Sequence, residues 1–335
     1  MHRNGYILVV LTAITALLFF VDLAVGSVSI PLGEVWSALS GGPVSDEAWR
    51  SIVREVRLPE ALTALVAGGA LAASGLLMQT LFRNPLAGPS VLGITSGSGL
   101  GVAVVMLAAP VWSSFLPAEA AVTLAAFGGA VVLLLLILLA DHRIGDGITL
   151  LIVGMMAGYL CSALVSVLQM ASAASALKGF VMWGMGSFGQ VTTARLPWLV
   201  VPCLLALVSA FALAKPLDAL LLGDAYATSL GVSVHRMRRI TIAVTAVLAG
   251  TVTAFCGPIA FLGLATPHVA RALLRTSEHL RLVPATILTG AALGLLCDVV
   301  VRWGGSGLPL NAVTSLLGVP VVLAVLWKGK RWARA

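Results

Sequence analysis

Few side chains in this sequence have both the type and the spacing that chemistry requires. Gly93, Gly97 and Gly101 recur every four residues, with Ser96 and Ser98 between them. A nucleotide-binding turn needs Gly-x-Gly-x-x-Gly after a strand, whereas Gly97-Ser98-Gly99 continues as Leu100, Gly101 and Val102. Glycines four apart share a helical face and let two backbones approach, so packing is the better reading. His268 has the chemistry of a metal ligand or proton relay, but no second histidine or carboxylate lies near it in sequence, which favours a packing or hydrogen-bonding role. Asp298 and Arg302 stand four apart and are expected to pair. Asp22 is expected to reach lipid headgroups. Cys161, Cys203, Cys256 and Cys297 have no metal-ligand spacing and read as small buried hydrophobes. Neither a His-Glu-x-x-His pair nor a Gly-x4-Gly-Lys-Ser/Thr loop occurs. The expectation is a chain that is no enzyme and carries no cofactor or metal of its own.

The elements that position these residues must lie in a membrane. Hydrophobic residues make up 59% of the 335 and charged residues 10%, against roughly 25% charged in soluble domains. Hydrocarbon offers the backbone no hydrogen-bond partner, and long unbroken apolar runs select helices over a barrel. The fold class expected is an all-α membrane protein of about ten transmembrane helices, near 6–25, 61–82, 90–110, 120–140, 148–170, 196–214, 239–256, 258–275, 283–302 and 309–327. The first run is read as a retained helix, because it is long for a signal peptide and lacks a clear cleavage site. Residues 1–335 then form a single transmembrane domain.

With the N-terminus inside, the 20 basic residues divide 14 to 6 in favour of the cytoplasmic side, Arg236, Arg238, Arg239 and the tail residues Lys328, Lys330, Arg331 and Arg334 among them. That is the positive-inside pattern. It assigns the net charge of +7 to topology rather than to nucleic acid, and it places both termini in the cytoplasm. A candidate inverted repeat sets residues 64–75 against 246–257, where Gly68/Gly250 and Gly75/Gly257 coincide. The two stretches cross the membrane in opposite directions in this topology.

Three interruptions stand out. Arg83-Asn84-Pro85-Leu86-Ala87-Gly88-Pro89 must break the helix and reads as a cytoplasmic turn. Residues 256–268 carry Gly257, Pro258, Gly263 and Pro267 in a broken span of the kind that lines substrate paths. Residues 215–238 form a cytoplasmic segment in which two short helices, parted near Gly223, present apolar stripes. Those stripes either meet a partner protein or pack back on the chain's own helix ends, and periodicity does not choose.

Taken in order, Arg57-Leu58-Pro59, Arg83-Asn84-Pro85-Leu86-Ala87, Trp183-Gly184-Met185-Gly186-Ser187, Gly223-Asp224-x-x-Ala227-x-x-Leu230-Gly231, Gly257-Pro258-Ile259, Pro267-His268-x-x-Arg271, Asp298-x-x-x-Arg302 and Leu308-Pro309 resemble the FecCD family of permeases. The resemblance implies half of a homodimeric importer that works with a second copy of itself, two ATP-binding subunits and an extracytoplasmic substrate-binding protein. The cargo it implies is a metal chelate: an iron siderophore or haem first, cobalamin as the alternative. It assigns ATPase coupling to Leu217, Asp218, Gly223, Asp224, Ala227, Leu230 and Gly231. Docking of the binding protein falls to Arg57 and Arg302, with Arg54 in support because Glu60 stands where a second arginine is common. Asn84 and Leu86 match the cytoplasmic gate. The other gate position falls in Asp146-Gly147-Ile148-Thr149, where a small hydroxyl residue is usual, and Gly307 replaces a common glutamate. An ion-coupled secondary transporter is the rival class, and the spans hold few of the buried acids it would need.

Overall fold

A computed structural model describes residues 2–108, 117–144, 146–303 and 307–332, with the side chains of 2, 325, 326 and 328–332 left aside. The charged tail cited for topology therefore lies outside the described side chains. Helix α1 spans His2–Ala24, followed on one side of the bundle by α2 (Leu32–Ser40) and α3 (Glu47–Ser51). A π-helical stretch, Ile52–Arg57, runs from α3 directly into α4 (Leu58–Leu81). Then come α5 (Ile94–Ala103), α6 (Ala118–Ile144), α7 (Gly147–Ala171), α8 (Ala174–Gly184) and α9 (Leu196–Ala212). The short pair α10 (Ala214–Leu221) and α11 (Asp224–Ser229) leads to α12 (Val234–Cys256), α13 (Leu262–Leu274), α14 (His279–Arg302) and α15 (Leu310–Trp332).

Helices α1, α4, α5, α6, α7, α9, α12, α13, α14 and α15 occupy the ten expected positions. Six helical stretches among the described residues are long and apolar enough to cross a membrane alone, and α9 with α10 makes a seventh bent by 54°. The others are short for a reason. α13 has 13 residues, about 20 Å of helix against a hydrocarbon core of about 30 Å. Gly257 (φ 73°) breaks the chain ahead of it, and Phe261 at φ 63° starts it. The span expected at 258–275 is thus part extended and part helical. Proline inside α9, α13, α14 and α15 is tolerable where neighbouring helices satisfy the freed carbonyls.

Most of α4, α12 and α14 is buried, whereas α1, α6 and α7 turn most of their surface outward. Small residues set the interior spacing. A Cβ on Gly68 of α4 would lie 2.2 Å from the Gly290 carbonyl of α14, and one on Gly101 of α5 would lie 2.1 Å from the Ala125 carbonyl of α6. Gly97 likewise meets Gly129 of α6, and Gly93 meets Gly154 and Gly158 of α7. Gly97 and Gly101 thus share the expected packing face, whereas Gly93 lies ahead of α5 in a left-handed conformation and packs on α7. All four cysteines are buried thiols.

Contacts between helices repeat when α4, α5, α6 and α7 are exchanged for α12, α13, α14 and α15. α4 packs on α14 as α12 packs on α6, α4 on α13 as α12 on α5, and α5 on α7 as α13 on α15. Gly68 faces α14 while its sequence counterpart Gly250 faces Ala130 of α6. The sense is inverted: Arg83, just past the end of α4, and Arg238, in the first turns of α12, both reach Asp224.

Candidate functional site

The cytoplasmic segment divides its two faces. Leu217, Leu220 and Ala227 are buried against the chain's own helices, while Leu222, Tyr226 and Leu230 are 66%, 50% and 58% exposed. One side of the pair of helices packs back on the chain, and the other leaves an apolar stripe exposed. Gly223 (φ 111°) and Gly231 (φ 81°) close α10 and α11 in conformations that disfavour side chains. Asp224 opens α11, where a carboxylate suits the helix dipole, and its Oδ1 accepts from Arg83 at 2.9 Å. Arg238 reaches Asp224 at 3.5 Å and the fully buried Asp141 of α6 at 3.3 Å. Asp218 accepts from His279.

The expected gate turn lies beside this segment. Asn84 Oδ1 accepts from the backbone N–H of Leu86 at 2.9 Å, closing an Asx turn. Leu86 is 44% exposed and borders a cavity of about 380 Å³ with Pro89, Thr95, Thr253, Phe261 and Asn311. The cavity lies at the broken span, as expected of residues 256–268. His268 Nε2 donates to the Pro85 carbonyl at 2.8 Å, so this histidine fixes the turn after α4. Asn311, which no motif distinguished, pins the break itself: Oδ1 accepts from Ala260 N at 2.9 Å, and Nδ2 donates to Pro258 O at 2.7 Å and Gly184 O at 3.0 Å. At the other gate position, Asp146 caps α7. Its carboxylate takes the Thr149 N–H at 2.8 Å and the Thr149 hydroxyl at 2.7 Å, and these bonds, the backbone one foremost, hold its pKa below the ordinary carboxylate value.

At the opposite end, the expected docking arginines turn inward. Arg57 is 3% exposed and donates to the carbonyls of Leu23 at 2.9 Å, Ala24 at 2.8 Å and Val28. Arg302 gathers three acids: Asp22 in close contact, Asp298 at 2.7 Å and Glu60 at 3.5 Å. Asp22 is fully buried, not at the headgroups, because pairing with a cation lowers the cost of a carboxylate there. Glu60, the departure from the family pattern, is part of this cluster. Arg54 stays exposed and donates to Ala38 O at 2.7 Å and Leu39 O at 3.3 Å. Arg57, Glu60 and Arg302 nevertheless wall an open pit of about 440 Å³ that Gly307 also borders. Removing the shared cation should be severe. Arg302→Met leaves three acids uncompensated and is expected to cost about 3–5 kcal/mol, read as a lower Tm of the purified protein. Adding Asp298→Asn should restore part of it, and an unchanged Tm for the single variant would show that the cluster is not formed.

The FecCD transport family matches residues 14–328. A vitamin B12 import system permease protein, BtuC, from Escherichia coli is 36% identical over 309 residues, covering 90% of this chain and 91% of that one. The protein of the same name from Klebsiella pneumoniae is 34% identical over 323 residues, covering 96% and 93%. Among solved structures, a metal-chelate type ABC transporter in an inward-facing conformation superposes with a TM-score of 0.86 at 31% identity, covering 97% of this chain and 99% of that chain. PsaBC from Streptococcus pneumoniae, in complex with Fab, shares the fold at a TM-score of 0.52 and 14% identity, over 83% and 94% of the two chains. With the helices, the turn after α4 and the cytoplasmic segment all inside the matched region, the chain belongs to the FecCD transport family and is a permease subunit of an ABC importer.

Proposed function

We propose that this permease imports a corrinoid of the vitamin B12 class across the bacterial cytoplasmic membrane, with both of its termini inside. The 36% identity to a vitamin B12 permease across nine-tenths of both chains carries the reading. This reverses the order given by sequence, in which an iron chelate led. The cavity beside the gate suits a chelate of either kind: its polar groups are hydroxyls and an amide, at Ser90, Thr95, Thr253 and Asn311, and among the described residues no carboxylate, thiol or imidazole lines it. Such a wall passes a chelate without competing for its metal. Two copies, as one domain each, face one another across the path, two ATPase subunits seat on residues 215–238, and a binding protein delivers cargo from outside. Leu222, Tyr226 and Leu230 form the exposed contact while Leu217, Asp218, Gly223, Asp224, Ala227 and Gly231 hold its shape. Asn84 and Leu86 gate the inner end. Exposed Arg54 meets acidic side chains of the binding protein, and Arg57 and Arg302 present their charge through the pit. Ion coupling is the weaker rival, since Asp22, Asp141, Asp298 and Glu60 all lie in ion pairs near helix ends.

The test is uptake into proteoliposomes holding the permease with its ATPase and binding protein. Labelled cyanocobalamin is expected to accumulate only with ATP and binding protein, and Arg54→Glu is expected to lower binding-protein affinity in a salt-dependent manner. Ferric siderophore or haem uptake without cyanocobalamin uptake would move the assignment to an iron chelate, and uptake driven by an ion gradient alone would end the ABC reading of this site.

A further inference from the structure

The cytoplasmic segment is fastened to the helix core at a point that no sequence motif marks. Asp218 projects from α10, and its Oδ1 accepts two bonds from His279, the backbone N–H at 2.9 Å and the ring Nδ1–H at 2.6 Å. His279 is the first residue of α14, whose N-cap Glu278 makes no side-chain capping bond. A carboxylate from a different element therefore caps α14 and meets the positive end of its dipole. A carboxylate can only accept, so Nδ1 carries the ring proton. Nε2, on the far side of the ring, shares a hydrogen bond of 2.8 Å with the Thr80 hydroxyl. Thr80 lies in the last turn of α4, and both it and His279 are fully buried, while a third of the Asp218 side chain is open to solvent.

One imidazole thus joins a solvent-side carboxylate on α10 to a buried hydroxyl on α4. What lies beyond those ends gives the link its meaning. The α4–α14 pair is locked by the approach of Gly68 to Gly290 and Gly294, so a displacement of the His279 end is shared by both helices. α4 also runs into the turn that carries Asn84 and Leu86, and the backbone N–H of Asn84 bonds back to Gln79 O, beside Thr80, at 3.1 Å. We propose that Asp218, His279 and Thr80 form a relay that carries movement of α10 into α4, α14 and the gate turn, with His279 as the positioning residue that couples ATP hydrolysis to transport. The relay rests on the reading of residues 217–231 as the ATPase-coupling segment.

The test needs no assumption about cargo. In the reconstituted permease–ATPase complex, spin labels on Leu86→Cys in the two copies report the gate, and the fraction of complexes that change distance on nucleotide binding is measured beside hydrolysis. Thr80→Val removes the hydroxyl and keeps the shape. It should leave ATPase association and hydrolysis unchanged while the gate's response equilibrium falls about fivefold, the scale of one neutral hydrogen bond. Thr80→Ser restores the hydroxyl and should restore the response. A structural role alone would lower Tm and yield without separating hydrolysis from gate movement. An unchanged response in Thr80→Val, or a loss that Thr80→Ser does not repair, overturns the relay. If Gly223→Val and Gly231→Val uncouple transport while Thr80→Val does not, the coupling segment stands and the relay falls; if none of the three has an effect, the coupling reading falls and takes the relay with it.

Discussion

Gly75→Ala is expected to leave little folded permease in the membrane. A Cβ at this position would lie 1.7 Å from the carbonyl oxygen of Gly263 and 2.5 Å from its carbonyl carbon. These are backbone atoms at the start of α13, so no rotamer change relieves the contact. The neighbourhood cannot yield cheaply either, since Gly263 is itself pressed to within 2.8 Å of the Leu71 carbonyl at its own Cβ position. Separating α4 from α13 would also pull at the Arg271 to Gln79 bond of 2.6 Å. Overpacking of this kind costs about 3 kcal/mol or more. The measurement is the yield and Tm of monodisperse protein by size exclusion. Gly99→Ala serves as the control, because nothing lies within 4 Å of its added methyl. A wild-type Tm for Gly75→Ala would mean that α4 and α13 do not approach as described.

The second large effect should fall on uptake and spare insertion. Valine at Gly223 or Gly231 forces a β-branched residue to φ 111° or 81°, at a cost of about 1–3 kcal/mol each. Crowding is not the cause: only Arg83 Nη1, at 3.5 Å, lies near the first position, and nothing lies near the second. The strain must be released by reshaping the ends of α10 and α11, which moves Leu222, Tyr226 and Leu230 out of register with a partner. Uptake in liposomes should fall about tenfold, with the membrane-inserted amount unchanged. Gly231→Asn should recover much of the loss, because asparagine tolerates the left-handed region. Normal ATPase association together with normal uptake in both valine variants would remove this segment from coupling.

The fold was legible because hydropathy and glycine spacing act locally: a run of apolar residues must be helical in lipid, and Gly97 and Gly101 line one face of α5, although Gly93 precedes that helix and packs on α7 instead. The ends were less so. α14 begins at His279 rather than near 283 because Asp218, distant in sequence, supplies its cap. Asp298 and Arg302 were readable as a pair four residues apart, but their meeting with Asp22 and Glu60 joins three separate helices, and no spacing rule reports that. The resemblance alone gave Arg57 and Arg302 a docking role, and no spacing shows that Arg57 binds the carbonyls of Leu23 and Ala24 or that Arg302 pairs with Asp22. Asn311 and His279 carried no signal in the sequence, because each acts on partners far along the chain.

The exchange symmetry of the helices bears on how such a chain can be made. Because α4 rests on α14 and α12 rests on α6, neither inverted unit is assembled beside the other; each is threaded through it. The glycine face of α4 has its true counterpart only when the ribosome has delivered α14, more than two hundred residues later. Until then Gly68 lacks the close backbone approach of Gly290 that will fix it. Assembly is thereby deferred to the end of synthesis, and premature termination anywhere before α14 leaves the central helix of the bundle without its seat.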